Sequence, residues 1–168
     1  MKKIVTKFGG SSLADAGQFR KVKDILLLDE ARQYVIPSAP GRRFKDDDKV
    51  TDLLYRCHKQ KSAGEDYQDT FDLIAARYMD IAEELGLHVD LGAALDEVNE
   101  KIDAGANADY CASRGEYLNG LLLADFMGWR FMDAAARTRS ASASFFHAMG
   151  LNATTRGLFR YWRMRSSV

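Results

Sequence analysis

Hydrophobic and polar residues fall in blocks whose period changes along the chain, and the changes mark its elements. Lys2 to Phe8 is a short run with β-branched Ile4, Val5 and Thr6 that ends in Gly9-Gly10, which predicts a strand entering a tight loop. From Gln18 onward, Phe19, Val22, Ile25 and Leu26 recur at helical spacing, and Tyr34-Val35-Ile36 then predicts a second, buried strand. Pro37 to Asp48 is a loop with Pro40-Gly41 as its turn signal, and Thr51 stands where a helix running to Lys61 would take an N-cap. The clearest amphipathic helix spans Asp66 to Leu85, with Tyr67, Phe71, Ile74, Tyr78, Ile81 and Leu85 on one face. Leu95, Val98 and Ile102 mark a shorter helix that Gly105 ends. Tyr110 to Met127 is too apolar for a surface helix, Gly128 stops it, and Trp129-Arg130-Phe131-Met132 is a third candidate strand.

Strand, helix, strand, helices, strand is the alternation that builds a parallel sheet covered by helices, so the class is α/β. In such sheets ligands gather at the carboxyl ends of the strands. The loops after Lys7, after Ile36 and around Ser113 are therefore where chemistry is expected.

Composition narrows the classes without changing this picture. With 168 residues, 46% hydrophobic and 29% charged, the chain is long enough for one domain with a sizeable core and is not of disordered or coiled-coil type. No apolar run reaches the roughly 18 residues that cross a bilayer, and the N-terminus lacks the apolar stretch of a signal peptide, so a cytoplasmic setting is expected. Cys57 and Cys111 have neither CxxC nor His–Cys spacing, which argues against a disulfide framework or a zinc site. The net charge of zero conceals an asymmetry. Residues 1–133 hold 18 Lys and Arg against all 24 Asp and Glu, whereas residues 134–168 hold six Arg and no acid. Such a basic, aromatic-bearing tail could be a nucleic-acid arm, although a divergent segment without that role is the better reading.

Four segments could carry chemistry. Lys7-Phe8-Gly9-Gly10-Ser11-Ser12 ends the first strand, putting a cation at the sheet's rim, glycines where backbone N–H groups can approach a phosphate, and hydroxyls beside them. The same Gly-Gly can equally be a plain structural turn. Ser38-Ala39-Pro40-Gly41 follows the second strand, and Lys49-Val50-Thr51-Asp52 opens the next helix. Thr51 there either caps the helix or helps its terminus hold a carboxylate. Ser113-Arg114-Gly115-Glu116 opens the apolar helix. Glu116 is either a first-turn acid complementing the helix dipole or a carboxylate kept for a cationic substrate group. Asp46-Asp47-Asp48 reads as a solvated loop in preference to a metal cluster, and His58, His88 and His147 have no partners at ligand spacing.

Taken in order, Lys7 to Ser12, Val35 to Gly41, Lys49 to Leu54 and Ser113 to Leu118 resemble the motifs of the aspartokinase family, from Met1 to about Ala134. The resemblance implies the amino-acid-kinase (carbamate-kinase-like) fold, a three-layer αβα sandwich with a mostly parallel central sheet. It also implies phosphorylation of the β-carboxylate of L-aspartate by MgATP, the first step toward lysine, threonine and methionine. On it, Lys7 neutralises the transferring phosphoryl group, and Gly9, Gly10 and Ser11 bind the ATP phosphates. Thr51 and Glu116 hold aspartate, Glu116 taking its α-ammonium, with Ser38 a weaker candidate beside them. Magnesium would arrive with the nucleotide, and no protein metal site is expected.

After Asp133-Ala134 the sequence departs from the family. The further strands, the adenine-binding half and the regulatory domains are not recognisable. Residues 1–134 are thus expected to be the amino-acid-binding half of the kinase domain, incomplete on its C-terminal side. Residues 135–168 are expected to be a divergent, poorly ordered tail left by a frameshift or truncation. The competing class is a non-catalytic kinase-like module that self-associates or binds a partner. The expected partners are therefore aspartate, MgATP and further copies of the chain, and neither a membrane nor nucleic acid.

Overall fold

The computed structural model describes residues 3–133 and the backbone of Tyr161–Met164. Strand β1 (Ile4–Phe8) leads through a 3-10 turn (Gly10–Leu13) into helix α1 (Ala16–Leu27), then β2 (Arg32–Pro37). Four helices follow: α2 (Val50–Ser62), α3 (Gln68–Leu85), α4 (Leu91–Asp103) and α5 (Ala108–Met127). β3 (Arg130–Asp133) and β4 (Tyr161–Met164) complete the described elements.

The helix boundaries follow from short polar residues and glycines. Asp15, Asp90 and Asn107 each accept a hydrogen bond from the backbone N–H three residues on, at 2.8, 3.0 and 2.9 Å, and so start α1, α4 and α5. Gly86 and Gly128 end α3 and α5 at φ 61° and 62°, where the left-handed backbone disfavours any side chain. Helix α2 starts two residues earlier than a Thr51 cap would require. Its N-cap is Lys49, no side chain caps it, and Thr51 is already its second helical residue.

The sheet order is β1-β2-β4-β3. β1 and β2 are parallel, with Lys7 opposite Ile36 and Phe8 opposite Pro37. β4 runs antiparallel to both β2 and β3, so β1, β2 and β3 share one direction. Residues 135–160 and 165–168 of the expected tail lie outside the described residues, whereas Tyr161–Met164 fills the slot between β2 and β3.

Helix α5 lies on the sheet, against β2, β3 and β4, and α2, α3 and α4 pack over it. This double burial explains an apolar composition that a surface helix would not tolerate. Tyr78, Phe19, Leu13, Leu53, Leu54, Ile74, Leu118 and Leu122 are among the fully buried side chains of the core. Phe19 of α1 meets Phe126 of α5 edge-on at 6.4 Å, joining α1 to the same body. Alternate residues of β1 turn away from it: Lys7 is exposed and Val5 is 49% exposed. Ile25, although spaced with the buried face of α1, is also exposed.

Candidate functional site

Because β1 and β2 are parallel and in register, their carboxyl ends open at the same edge of the sheet. Ser38 N–H donates to the Phe8 carbonyl at 3.0 Å, carrying the pairing one residue past β2. Beyond it the two loops touch backbone to backbone, and Gly41 N–H donates to the Gly10 carbonyl at 2.9 Å. A Cβ on Gly10 would stand 2.8 Å from the Ala39 carbonyl oxygen, and one on Gly41 would stand 2.7 Å from the Gly10 carbonyl carbon. Both glycines are therefore demanded by the loop contact itself. Gly9 differs: its φ is −75° and a Cβ there would meet nothing within 4 Å. Neither backbone nor packing among the described residues requires glycine at this position, which leaves the approach of a ligand as a physical reason for it.

A cleft of about 420 Å³ opens where these loops meet α2 and α5. Gly10, Ser11, Ser38, Thr51 and Glu116 line it, together with Ala39, Pro40, Gly41, Arg42 and Lys49. Lys7 stands beside it at the end of β1, where its Nζ donates to Ser38 Oγ at 3.3 Å. Residues from four separate segments, spaced across more than a hundred positions, thus converge on one cavity.

Several expectations change here. Glu116 is the ninth residue of α5, which begins at Ala108, so it lies beyond the first turn where a helix dipole is felt. Thr51 does not cap α2, so its hydroxyl on the cleft wall is not explained by helix capping. Asp46-Asp47-Asp48 is neither a wholly solvated stretch nor a metal cluster. Asp47 is 8% exposed, and its carboxylate accepts from Arg77 Nη2 at 2.7 and 2.8 Å and from Arg43 Nε and Nη2 at 3.0 Å each. Hydrogen bonds from Arg43, with Arg77 close by, hold its carboxyl far below the ordinary carboxylate range. Among the described residues, no group of three or more His, Cys, Asp or Glu side chains could hold a metal ion.

The residues that brace the cleft carry little sequence signal of that role. Arg77 is 4% exposed, and burial lowers its pKa. Its only sequence signal is position: it sits three residues after Ile74 and four before Ile81, inside an apolar stripe. Asn119, fully buried, donates from Nδ2 to the Ser38 carbonyl at 2.6 Å and so fixes the β2 loop to α5. Tyr78 Oη donates to the Gly115 carbonyl at 2.6 Å, inside the helix that carries Glu116. Burial raises the Tyr78 pKa well above the ordinary phenol value, so the hydroxyl remains a donor at all physiological pH. Arg114 lies over the rings of Tyr110 and Tyr117 at 4.5 and 4.8 Å and donates to Ser113 Oγ, a packing arrangement within α5.

Known proteins resemble this chain in sequence and fold. No protein-family model matches the chain. Aspartokinase 3 of Bacillus subtilis (strain 168) is 46% identical over 83 residues, which is 49% of this chain and 18% of that protein. The crystal structure of Clostridium acetobutylicum aspartate kinase superposes with a TM-score of 0.78 at 51% identity, over 80% of this chain and 31% of that one. This chain is homologous to the aspartokinases. Escherichia coli aspartokinase III, solved in complex with aspartate and ADP, has the same fold, with a TM-score of 0.61 at 24% identity over 76% of this chain and 29% of that one. The aspartokinase homologue thus has the expected α/β, amino-acid-kinase architecture, and it spans under a third of the length of these solved relatives. No helix among its described residues is long and apolar enough to cross a membrane.

Proposed function

We propose that this chain carries the aspartate-binding part of an aspartokinase-type phosphotransferase, which moves the γ-phosphate of ATP to the β-carboxylate of L-aspartate. The observation that carries the reading is the convergence of Ser38, Thr51 and Glu116 on one cleft with the Gly10-Ser11 loop at its wall and Lys7 beside it. Its chemistry suits an amino dicarboxylate: Glu116 takes the α-ammonium, while Thr51, Ser38 and the cations on the loop after β2 take carboxylates. Lys7 faces the transferring phosphoryl group, and Gly9, Gly10 and Ser11 offer N–H and hydroxyl donors to the ATP phosphates.

The reaction then needs little beyond positioning and charge. A β-carboxylate oxygen attacks the γ-phosphorus, a new P–O bond forms, and the bond to the β-phosphate bridging oxygen breaks with its electron pair going to ADP. The carboxylate is already ionised at neutral pH, so no general base is required. Lys7 offsets the charge on the equatorial oxygens in transit. Magnesium would enter on the nucleotide phosphates and supply further charge neutralisation. The described residues offer no carboxylate cluster to hold it by themselves.

Titration calorimetry with L-aspartate tests the reading. The chain should bind aspartate without ATP, and Glu116→Gln should weaken binding by about 1–3 kcal/mol, the scale of a hydrogen bond to a charged group. Unchanged affinity in Glu116→Gln would remove this residue from the pocket. The second reading is a non-catalytic module that self-associates or binds a partner. Aspartate binding without aspartate-dependent ATP turnover would select it.

A further inference from the structure

The loop between β2 and α2 contributes Arg42 and Lys49 to the cleft although residues 41–49 contain neither helix nor strand. Such a loop would ordinarily sample many conformations and place its cations loosely. Here it is tied to α3 from within. The Arg77 guanidinium donates from Nη1 to the Gly41 carbonyl at 3.1 Å, and from Nη2 to the Asp47 carboxylate and, at 3.4 Å, to the Asp48 carbonyl. One planar fork therefore gathers both ends of the loop. Asp47 closes it from the other side, accepting from the backbone N–H of Arg43 at 2.9 Å as well as from the Arg43 side chain.

Burying this pair costs desolvation on both partners, and a well-packed apolar pair would hold α3 and the loop together at least as firmly. What an apolar pair could not supply is direction. Arg42, next to Gly41 and Arg43, and Lys49, next to Asp48, are adjacent to the anchored atoms. We propose that Asp47 and Arg77 are positioning residues, which preset the loop so that Arg42 and Lys49 present their charges to the carboxylates of the ligand in the cleft. This rests on the reading of that cleft as an aspartate site.

The test has two arms, both on the full chain. In the first, without ligand, Asp47→Asn and Arg77→Lys should speed hydrogen exchange at the Arg43 and Asp47 amides by about tenfold or more while leaving the α4 amides unchanged. Arg77→Lys keeps the charge and loses the fork, so it serves where a neutral variant fails to fold. Unchanged exchange at the loop amides would overturn the proposal. In the second arm, calorimetry with L-aspartate should find Asp47→Asn about tenfold weaker than the parent, yet less than about twofold weaker than its own parent when both carry Arg42→Gln and Lys49→Gln. The thermal midpoint should fall equally in both backgrounds. Equal loss of affinity in both would mean that Asp47 acts by general destabilisation, and the proposal would fall. A parent chain that binds no aspartate, with loop exchange accelerated as expected, would defeat the aspartate reading and leave the anchored loop standing.

Discussion

A single added methyl group at Gly115 should loosen the cleft from below. Gly115 lies where α5 meets α2 and the loop after β2. A Cβ there would stand 2.7 Å from the Ala39 Cβ, 3.2 Å from Leu54 Cδ1 and 3.4 Å from Val50 Cγ1. Apolar carbons settle at roughly 3.5–4.0 Å, so relief at Ala39 requires movement of about 1 Å. Ala39 has no torsion that would move its methyl aside. Its backbone is held on both sides, by Asn119 on the Ser38 carbonyl and by the Gly10–Gly41 hydrogen bond. The strain must then pass to α5 or to the loop, and overpacking of this kind costs about 1–3 kcal/mol. Against it stands the gain of replacing a helical glycine by alanine, about 0.5–1 kcal/mol. The closeness of the Ala39 contact puts the strain at the upper end, so Gly115→Ala should be destabilised by about 1–2 kcal/mol in urea unfolding at unchanged m-value. Gly92→Ala in α4 is the control. Its Cβ meets only Asp90 Oδ1, at an ordinary 3.8 Å, so the helix-propensity gain should appear alone as a small stabilisation. Gly115→Ala should also weaken L-aspartate binding, because the residue next to Glu116 is displaced from Ala39. A Gly115→Ala chain as stable as Gly92→Ala would refute the packing argument.

Two further expectations follow from charge. Asp47 is held more strongly ionised in the fold than in the unfolded chain, so its stabilisation is present above about pH 4 and drains away as pH falls through the depressed folded value. The thermal midpoint of the parent should therefore fall more steeply between about pH 5 and about pH 2 than that of Asp47→Asn, itself lower at neutral pH, and parallel curves would remove Asp47 from acid stability. Lys7→Ala should reduce any aspartate-dependent ATP turnover by about a hundredfold or more, the scale of losing one preorganised charge at the reacting group, with little change in thermal midpoint since Lys7 is exposed. A variant with the parent rate would leave Lys7 as a strand-end lysine only.

Much of the fold was legible because its signals are local. The strand before Gly9-Gly10, the amphipathic stripe of α3 and the over-apolar α5 each announce themselves within one window of sequence. Gly10, Ser11 and Ser38 line one cleft because parallel strands bring their loops to one edge whatever the loops contain, and Thr51 and Glu116 reach it from α2 and α5. What the sequence concealed was three-dimensional pairing. Thr51 looks like a cap because threonine before an apolar stretch usually is one, but the Pro40 carbonyl takes the Val50 N–H and the helix begins before it. Asp47 sits in a run of three aspartates that reads as solvated, and only the arrival of Arg77, thirty positions away, makes it a buried anchor. Arg77 and Asn119 are polar residues on otherwise apolar faces, where a sequence pattern alone cannot tell a buried bracing group from an exposed one.

Strand β4 sharpens the question of where the family likeness stops. Residues 134–168 carry six arginines and no acid, and from their sequence they are expected to depart from the aspartokinase pattern, yet Tyr161–Met164 pairs along the whole of β3 and reaches β2 at Tyr34. The two observations do not conflict. β2 and β3 run in the same direction and are not each other's neighbours, so each turns a row of backbone N–H and C=O groups toward the slot between them. Those groups are satisfied by main-chain atoms of any four extended residues, without reference to side chains. A strand that enters such a slot therefore reports the hydrogen-bonding demand of β2 and β3 and says little about its own origin. Its direction agrees with this: β4 alone opposes the other three strands, and two antiparallel neighbours can accept a strand without the crossover helix that a parallel insertion requires. The backbone pairing of β4 therefore neither extends nor limits the likeness to aspartokinases.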